Sequence, residues 1–334
     1  MKEFRAREVI IGLALGFLCS VVLAEVYLRL QVSQDNYHFR NYIREVETRR
    51  KYGLKPGTYP GNITILPEGI RGPRSLSDTA EFTIAWMGNS VVFGAGVPDS
   101  FTLPHLLETS LREQFPSIVV WNLGIPSYSS TQVRAYLEEI LDSHTFQLLI
   151  ITVGGNDLSL ASQFGNEFDS SSNWRDIRFR KEIVRNQKIH SELAVRLQDF
   201  FSKKEVPFFR TNPERALQRA WPVIRNNLFA IASLCHKKNI RLVLTTYYLK
   251  DSFTASDDSH TRWGNTVREM SSRFMQFGKE QGILVFDVAR VIAKSPHPNS
   301  FYIDNVHYSP RGAKMLSKQL AIFLRKRFLG SYKN

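Results

Sequence analysis

The 334-residue chain is poor in cysteine and lacks the motifs that define several common protein classes. It has two cysteines, Cys19 in an apolar segment and Cys235 in a predicted helix, which are too few for a disulfide framework or a cysteine metal site. It has no zinc-finger spacing, nucleotide-binding glycine loop or RNA-binding aromatic signature, which argues against a nucleic-acid partner. Histidines outside the motifs described below have no metal-ligand spacing. We therefore expect no metal and no other cofactor.

Acidic residues are also scarce relative to basic ones. The chain has 31 Asp and Glu against 44 Lys and Arg, which gives a formal net charge of +13. This balance favours anionic surfaces such as lipid headgroups or acidic polysaccharide. The hydrophobic fraction of 43% is ordinary for a globular protein. Length and composition together predict one large domain with an attachment.

The attachment is predicted at the amino terminus, in residues 1–30. Residues 9–24 carry no charge, and the apolar stretch as a whole is about 22 residues long, enough to span a bilayer. Glu25 and Arg29 fit the far membrane interface. We expect a single-pass anchor with the globular domain on the extracytoplasmic, periplasmic side. The alternative is a cleaved signal peptide and a secreted protein, because Val22-Leu23-Ala24 fits a cleavage site.

The remaining chain divides by composition. Residues 31–80 are polar and then rich in Pro and Gly, which indicates a stalk and lead-in, and residues 81–330 alternate apolar β-rich runs with amphipathic stretches. Such alternation predicts a parallel sheet covered on both faces. Residues 158–220 interrupt it, and we interpret them as an insertion over the carboxyl edge of the sheet, either a lid or membrane-contacting helix or a solvated basic helix. The predicted strands are 82–87, 118–123, 147–153, 241–246 and 284–286, and the predicted helices are 102–115, 130–144, 221–238, 262–281 and 310–327.

Ser90 stands directly after the first predicted strand, in the segment Gly88-Asn89-Ser90. Gly, Asn and Ser are common in turns, so a polar turn ending a strand is one interpretation. The carboxyl ends of parallel strands are also where an open α/β sheet binds its ligand. A serine there can act as a nucleophile if a base lies beside it.

Three later segments supply what such a serine needs. Asp304 and His307 are three residues apart before a predicted helix, so the carboxylate can hold one ring nitrogen while the other faces Ser90. The backbone N–H groups of Ser90 and Gly124 and the side-chain amide of Asn156 can provide three donors to an oxyanion. Each of these residues follows a predicted strand or precedes a helix, so each also has an explanation as a turn or cap residue.

Taken together, these residues resemble the SGNH hydrolases, also called GDSL-type esterases and lipases, of the membrane-anchored bacterial type. The matching blocks are Gly88-Asn89-Ser90, Gly124, Gly155-Asn156-Asp157 and Asp304-x-x-His307, within residues 82–328. The resemblance implies a flavodoxin-like three-layer α/β/α sandwich and metal-free ester hydrolysis. It also implies Ser90, His307 and Asp304 as the catalytic triad, and Ser90, Gly124 and Asn156 as the oxyanion hole.

One residue departs from the family pattern. Asn89 stands where the family usually has Asp, and its side chain can still bond to nearby backbone N–H groups.

The expected function is a serine esterase acting on an acyl, often acetyl, ester of a carbohydrate or lipid. The alternatives are an O-acyltransferase acting on cell-surface polysaccharide, and a non-catalytic glycan- or lipid-binding module. The sequence does not indicate the oligomeric state.

Overall fold

The fold described below is that of a computed structural model. It describes residues 2–34, 42–78, 80–164, 191, 193–194, 197, 212–253 and 259–329. Most of the predicted insertion at 158–220 lies outside these residues, including its basic stretch from Trp174 to His190.

A five-stranded parallel sheet forms the centre of the domain. Its strand order is β6-β5-β7-β8-β9, and each neighbouring pair is parallel. Every residue of β5, β6 and β7 is buried, as expected for a parallel sheet covered on both faces. The strands are β5 (Phe82–Gly88), β6 (Ile118–Gly124), β7 (Leu148–Thr152), β8 (Arg241–Thr245) and β9 (Leu284–Phe286).

Helices form the two outer layers of an α/β/α sandwich, which confirms the predicted fold class. In one group α3 packs on α9, and in the other α6 packs against α4, α5 and α7. The helices are α1 (Lys2–Gln34), α2 (Ser90–Phe93), α3 (Leu103–Arg112), α4 (Ser130–Leu141), α5 (Gly155–Phe164), α6 (Pro213–Lys237), α7 (Ser259–Gln281), α8 (Val288–Ile292) and α9 (Pro310–Leu324).

Helix boundaries follow local capping signals. Helix α9 begins where the sequence predicts, because Ser309 caps the amide of Gly312 and Pro310 occupies the first helical position. Helix α6 begins at Pro213, eight residues before the predicted start at residue 221. Asn212 caps this helix in the same way, and Pro222 lies inside the helix rather than before it.

Residues 42–76 form two small antiparallel hairpins that pack into the same hydrophobic core as the sheet. Buried side chains of this segment include Tyr42, Tyr52, Ile63 and Ile70. The packed unit therefore begins well before residue 81, although much of this segment is polar or rich in Pro and Gly. The hairpin strands are β1 (Ile43–Glu45), β2 (Tyr52–Leu54), β3 (Gly57–Tyr59) and β4 (Ile63–Ile65).

Helix α1 presents an apolar surface to its surroundings. Its segment Glu8–Leu28 spans 21 residues with a mean hydropathy of 2.5 and has none of its apolar window buried. Within the described parts of the chain, it is the one helix long and apolar enough to cross a membrane. Near its end, Glu25 accepts hydrogen bonds from the Ser191 hydroxyl (3.0 Å) and the Leu193 amide (2.9 Å).

Candidate active site

Ser90 is the first residue of α2 and follows β5 after a single residue. Asn89 precedes it in an extended conformation, and its side-chain oxygen accepts a hydrogen bond of 3.0 Å from the Val91 amide. A Cβ at Gly88 would lie 2.5 Å from the Thr152 carbonyl oxygen, so only glycine fits at this turn. The chain therefore moves from strand to helix within two residues and leaves the half-buried Ser90 at the sheet edge.

Strand register brings the neighbouring segments to the same edge. Gly88 pairs with Gly124 on one side and with Thr152 on the other. The segments that follow β6 and β7 therefore leave the sheet at the level of Ser90. Asn156 lies in the first turn of α5, directly after β7.

His307 and Asp304 complete a continuous chain of hydrogen bonds with Ser90. His307 Nε2 lies 2.8 Å from Ser90 Oγ, and His307 Nδ1 lies 2.8 Å from Asp304 Oδ2. This pattern assigns the proton to Nδ1 and leaves Nε2 as the acceptor for the serine hydroxyl. The imidazole of His307 therefore contacts both Ser90 and Asp304.

Asp304 is held as a carboxylate. Its Oδ1 accepts hydrogen bonds of 2.6 Å from the amides of Val306 and His307. Partial burial raises the pKa of the carboxyl, but the hydrogen bonds from the His307 ring and from the two amides outweigh it. The net effect is a pKa of Asp304 well below its usual range. The group next to the imidazole is therefore an anion throughout the neutral range.

Gly124 does not reach the cavity beside Ser90. Its amide donates to Asn122 Oδ1 at 3.1 Å, and it is absent from the described residues that line the cavity. A Cβ at this position would lie 2.2 Å from the Phe93 amide nitrogen. The glycine lets β6 pack directly against the backbone of α2, and this geometry does not support the predicted role of Gly124 as an oxyanion donor.

Ser127, which the sequence reasoning missed, lies in that cavity instead. The Tyr128 amide donates to the Ile125 carbonyl, so residues 125–128 form a tight turn with Pro126 and Ser127 at its centre. Ser127 has a φ of 64°, a left-handed conformation that costs a non-glycine residue about 1–2 kcal/mol. Within the described structure its amide has no hydrogen-bond partner. A strained residue with a free N–H beside the serine is a candidate donor.

Asn156 lies where the sequence predicts a donor. One of its Nδ2 hydrogens bonds to the Tyr128 carbonyl at 2.9 Å, which fixes the orientation of the carboxamide. The second hydrogen remains for a ligand, and Asn156 lines the cavity together with Ser90 and Ser127. Three residues that can each offer a donor therefore line one cavity: Ser90 and Ser127 through their amides, and Asn156 through its side chain.

Asp157 links the segments that carry Ser127 and Asn156. It is fully buried and accepts hydrogen bonds from the Ser130 amide and, at 2.6 Å, from the Ser130 hydroxyl. Burial raises its pKa, while the bonds from Ser130 and from nearby backbone act in the opposite direction. The contact ties the start of α4 to the start of α5, and so fixes the turn that contains Ser127 relative to Asn156.

Arg71 holds the other end of α2. Its guanidinium is buried and donates to the carbonyls of Phe93, Gly94 and Val97 at 2.6–2.9 Å. It also pairs with Asp99 Oδ1 at 2.7 Å. Phe93 and Gly94 end the short helix that begins with Ser90, and their carbonyls have no further helical turn to bond, while the Val97 carbonyl lies in the segment that follows. Arg71 therefore stabilises the segment that positions the serine.

The cavity beside Ser90 and His307 has a volume of about 280 Å³. The described residues that line it are Asn89, Ser90, Ser127, Gly155, Asn156, Leu158, Tyr247, Leu249, Trp263, Val267, Val306 and His307. Over the described residues, no group of three or more His, Cys, Asp or Glu could hold a metal ion. Cys19 and Cys235 are both free.

The fold and this constellation define an α/β/α sandwich with a serine, a histidine and an aspartate hydrogen-bonded at the carboxyl edge of its sheet. A family profile described as "GDSL-like Lipase/Acylhydrolase family" matches residues 86–315, more than half of the chain. The chain belongs to this family, which confirms the resemblance to GDSL-type hydrolases that the sequence motifs indicate.

Solved structures with a similar fold include three from bacteria. Axe2, an acetylxylan esterase from Geobacillus stearothermophilus, is 16% identical over 74% of this chain and 94% of its own, with a TM-score of 0.47. A putative lipolytic G-D-S-L protein from Desulfitobacterium hafniense is 16% identical over 72% and 99%, with a TM-score of 0.45. The esterase EstA from Pseudoalteromonas sp. is 15% identical over 75% and 100%, with a TM-score of 0.44. No curated protein matches the chain.

Proposed function

We propose that this member of the family is a serine ester hydrolase in which Ser90, His307 and Asp304 form the catalytic triad. The observation that carries the proposal is the unbroken hydrogen-bond chain from Ser90 Oγ through the imidazole to the Asp304 carboxylate. A hydroxyl is a weak nucleophile until a base removes its proton, and the imidazole acceptor is already within hydrogen-bond distance. The substrate is an acyl ester of a carbohydrate or a lipid.

In the first half of the reaction, Ser90 Oγ attacks the ester carbonyl carbon while His307 Nε2 takes the hydroxyl proton. The carbonyl oxygen becomes an oxyanion, stabilised by the amides of Ser90 and Ser127 and by Asn156 Nδ2. Asp304 stabilises the imidazolium without taking its proton. The bond from the carbonyl carbon to the alcohol oxygen then breaks, the alcohol receives the proton from Nε2, and an acyl-serine ester remains.

In the second half, water replaces the alcohol. His307 takes a proton from the water as its oxygen attacks the acyl carbon, and the same three donors stabilise the second oxyanion. Collapse breaks the bond to Ser90 Oγ, which recovers a proton from His307, and the carboxylic acid leaves. Both halves use only the ester, water and the groups of this chain named above.

The test is covalent labelling together with turnover. Purified full-length protein is treated with a fluorophosphonate probe and the modified residue is identified by mass spectrometry, and hydrolysis of p-nitrophenyl esters is measured in parallel. We expect modification at Ser90 alone, and no modification of the Ser90→Ala variant. Absence of both labelling and turnover in folded protein would contradict the proposal and favour a non-catalytic binding module.

We further propose that α1 is a membrane anchor and that the domain lies on the extracytoplasmic side. The exposed apolar surface of Glu8–Leu28 supports an anchor, and a cleaved signal sequence has the same composition. The contact of Glu25 with Ser191 and Leu193 favours a helix that remains attached. Amino-terminal sequencing of the mature protein and alkaline extraction of membranes distinguish the two. A carboxyl-terminal reporter that is active only outside the cytoplasm tests the orientation.

A further inference from the structure

The cavity beside Ser90 is lined mainly by hydrocarbon. Leu158, Leu249, Trp263 and Val267 are each less than 10% exposed, and they surround a space that opens directly beside the serine and His307. Val306, the residue before the catalytic base, adds a further apolar side chain. An ester whose carbonyl carbon meets Ser90 Oγ therefore places one of its two substituents in this space.

The polar groups in the described wall are too few for a sugar ring. Apart from the triad and the oxyanion donors, the described wall has the Ser127 and Tyr247 hydroxyls, the Trp263 indole N–H and the Asn89 carboxamide, whose oxygen already accepts from the Val91 amide. A sugar carries several hydroxyls, and each one buried without a partner costs about 1–3 kcal/mol. A hydrocarbon chain incurs no such cost and gains from its removal from water.

The volume is also larger than an acetyl group requires. At about 30 Å³ for one water molecule in the liquid, and a comparable volume for a methylene group, 280 Å³ holds roughly nine such groups. An acetyl methyl would fill one of these places and leave the apolar walls without contacts. The volume and the apolar lining of the space fit a hydrocarbon chain.

We propose that this cavity binds the hydrocarbon chain of the acyl group, and that the enzyme selects straight acyl chains of roughly four to eight carbons over acetyl. The alcohol part of the ester then lies outside the cavity, where a sugar or glycerol headgroup keeps its contacts with water. This inference rests on the proposed ester hydrolysis at Ser90, because it assigns the ester carbonyl to that residue.

The experiment measures chain-length dependence in two independent ways. The full chain is purified in a steroid detergent, which has no alkyl chain to compete for the cavity. We measure kcat/KM for p-nitrophenyl esters from acetate to dodecanoate, and the rate of Ser90 modification by fluorophosphonates with alkyl groups of matching length. Both are expected to rise about four-fold per added methylene until the cavity is full, and then to fall.

Two cavity variants shift this optimum in opposite directions. Val267→Phe fills part of the space and is expected to lower the hexanoate-to-acetate preference by at least about ten-fold. Trp263→Ala enlarges the space and is expected to move the optimum to longer chains. Met275→Phe, an exposed position on the same helix, is the matched control and should keep the wild-type profile. Opposite shifts cannot arise from general loss of stability.

The outcomes separate this inference from the proposed function. A flat profile or a preference for acetate, with Ser90 still modified by the probe, would overturn the acyl-chain site and leave ester hydrolysis standing. Absence of both turnover and modification at every chain length would overturn the two together. If Val267→Phe does not fold, the wild-type series and Trp263→Ala still decide the question.

Discussion

Ser90 Oγ and His307 Nε2 lie 2.8 Å apart, although 217 residues separate them in the chain. The same imidazole is oriented by Asp304, which is three residues before it. A hydroxyl, an imidazole and a carboxylate therefore form one continuous hydrogen-bonded chain. From the proposed ester hydrolysis we expect Ser90 to react with electrophiles without a prior rearrangement of these three groups.

Replacement of Ser90 or His307 by alanine should abolish ester turnover. Residues of a triad act as a unit, so each single change is expected to lower kcat by about 10⁴–10⁶-fold, and the double variant by little more. Steady-state kinetics on a short ester measure this effect. Ser272→Ala, an exposed serine on α7, serves as the matched control with unchanged kcat. If the fold-loss of kcat in the double variant equals the product of the two single losses, the two residues do not act together.

Asp304→Asn should reduce turnover while leaving Ser90 in place. The amide cannot stabilise the imidazolium and favours the wrong tautomer of His307, so we expect a loss of kcat of about 10⁴-fold. The measurement is kcat at neutral pH, with circular dichroism to verify the fold. A loss of less than ten-fold would assign the orienting role to another group.

The same carboxylate predicts how stability depends on pH. Because the pKa of Asp304 is lowered in the folded state, its ionised form stabilises the protein above the unfolded-state pKa of about 3.9. This contribution is lost as pH falls below that value toward the folded-state pKa. Denaturant unfolding should show wild type more stable than Asp304→Asn at pH 6, with the difference shrinking toward pH 3. A difference that grows on acidification would contradict the direction of the shift.

Asn156 and Gly124 should respond to alanine in different ways. Asn156→Ala removes a proposed oxyanion donor and is expected to lower kcat by about 10²–10³-fold with little change in stability. Gly124→Ala forces a methyl group against the α2 backbone and should lower the free energy of unfolding by about 3 kcal/mol or more. Denaturant unfolding and kcat are measured on both. A stable Gly124→Ala protein with a selective loss of kcat would restore Gly124 as a donor.

Arg71 should be essential for stability although it lies outside the cavity wall. Arg71→Met leaves Asp99 and three carbonyls without their buried partner, and breaking such a contact costs about 3–5 kcal/mol. Arg134→Met removes a half-exposed pair with Glu138 and should cost less than about 0.5 kcal/mol. Urea unfolding measures the free energy of unfolding of both variants. Comparable decreases in the two would show that burial of the guanidinium is unimportant.

Much of the site could be predicted from the sequence because parallel strands end at a common edge. Apolar runs located the five strands, and polar residues directly after them, Ser90 and Asn156, had to meet there. The short spacing between Asp304 and His307 made their contact a local property. Ester hydrolysis at this site is a proposal that the fold and the family are consistent with.

Other features of the site and fold depend on tertiary contacts that no local sequence pattern predicts. Ser127 adopts a backbone conformation that favours glycine, and its sequence context points instead to the nearby Gly124. Arg71 lies in a segment rich in Pro and Gly, where a buried cation is not expected. Proline usually occurs in the first turn of a helix or beyond its end, whereas Pro222 lies in the interior of α6.

The sequence separation within the triad has a consequence for how the protein folds. Asp304 and His307 form a local pair within one short loop, whereas Ser90 contacts His307 across a separation of 217 residues. The packing of α3 on α9 closes the same long loop, for example where the Ser317 hydroxyl donates to the Leu103 carbonyl at 3.0 Å, so many contacts share the entropy of closing it. We therefore expect Ser90 to react with a covalent probe only in chains that have formed these long-range contacts, which labelling during refolding would measure.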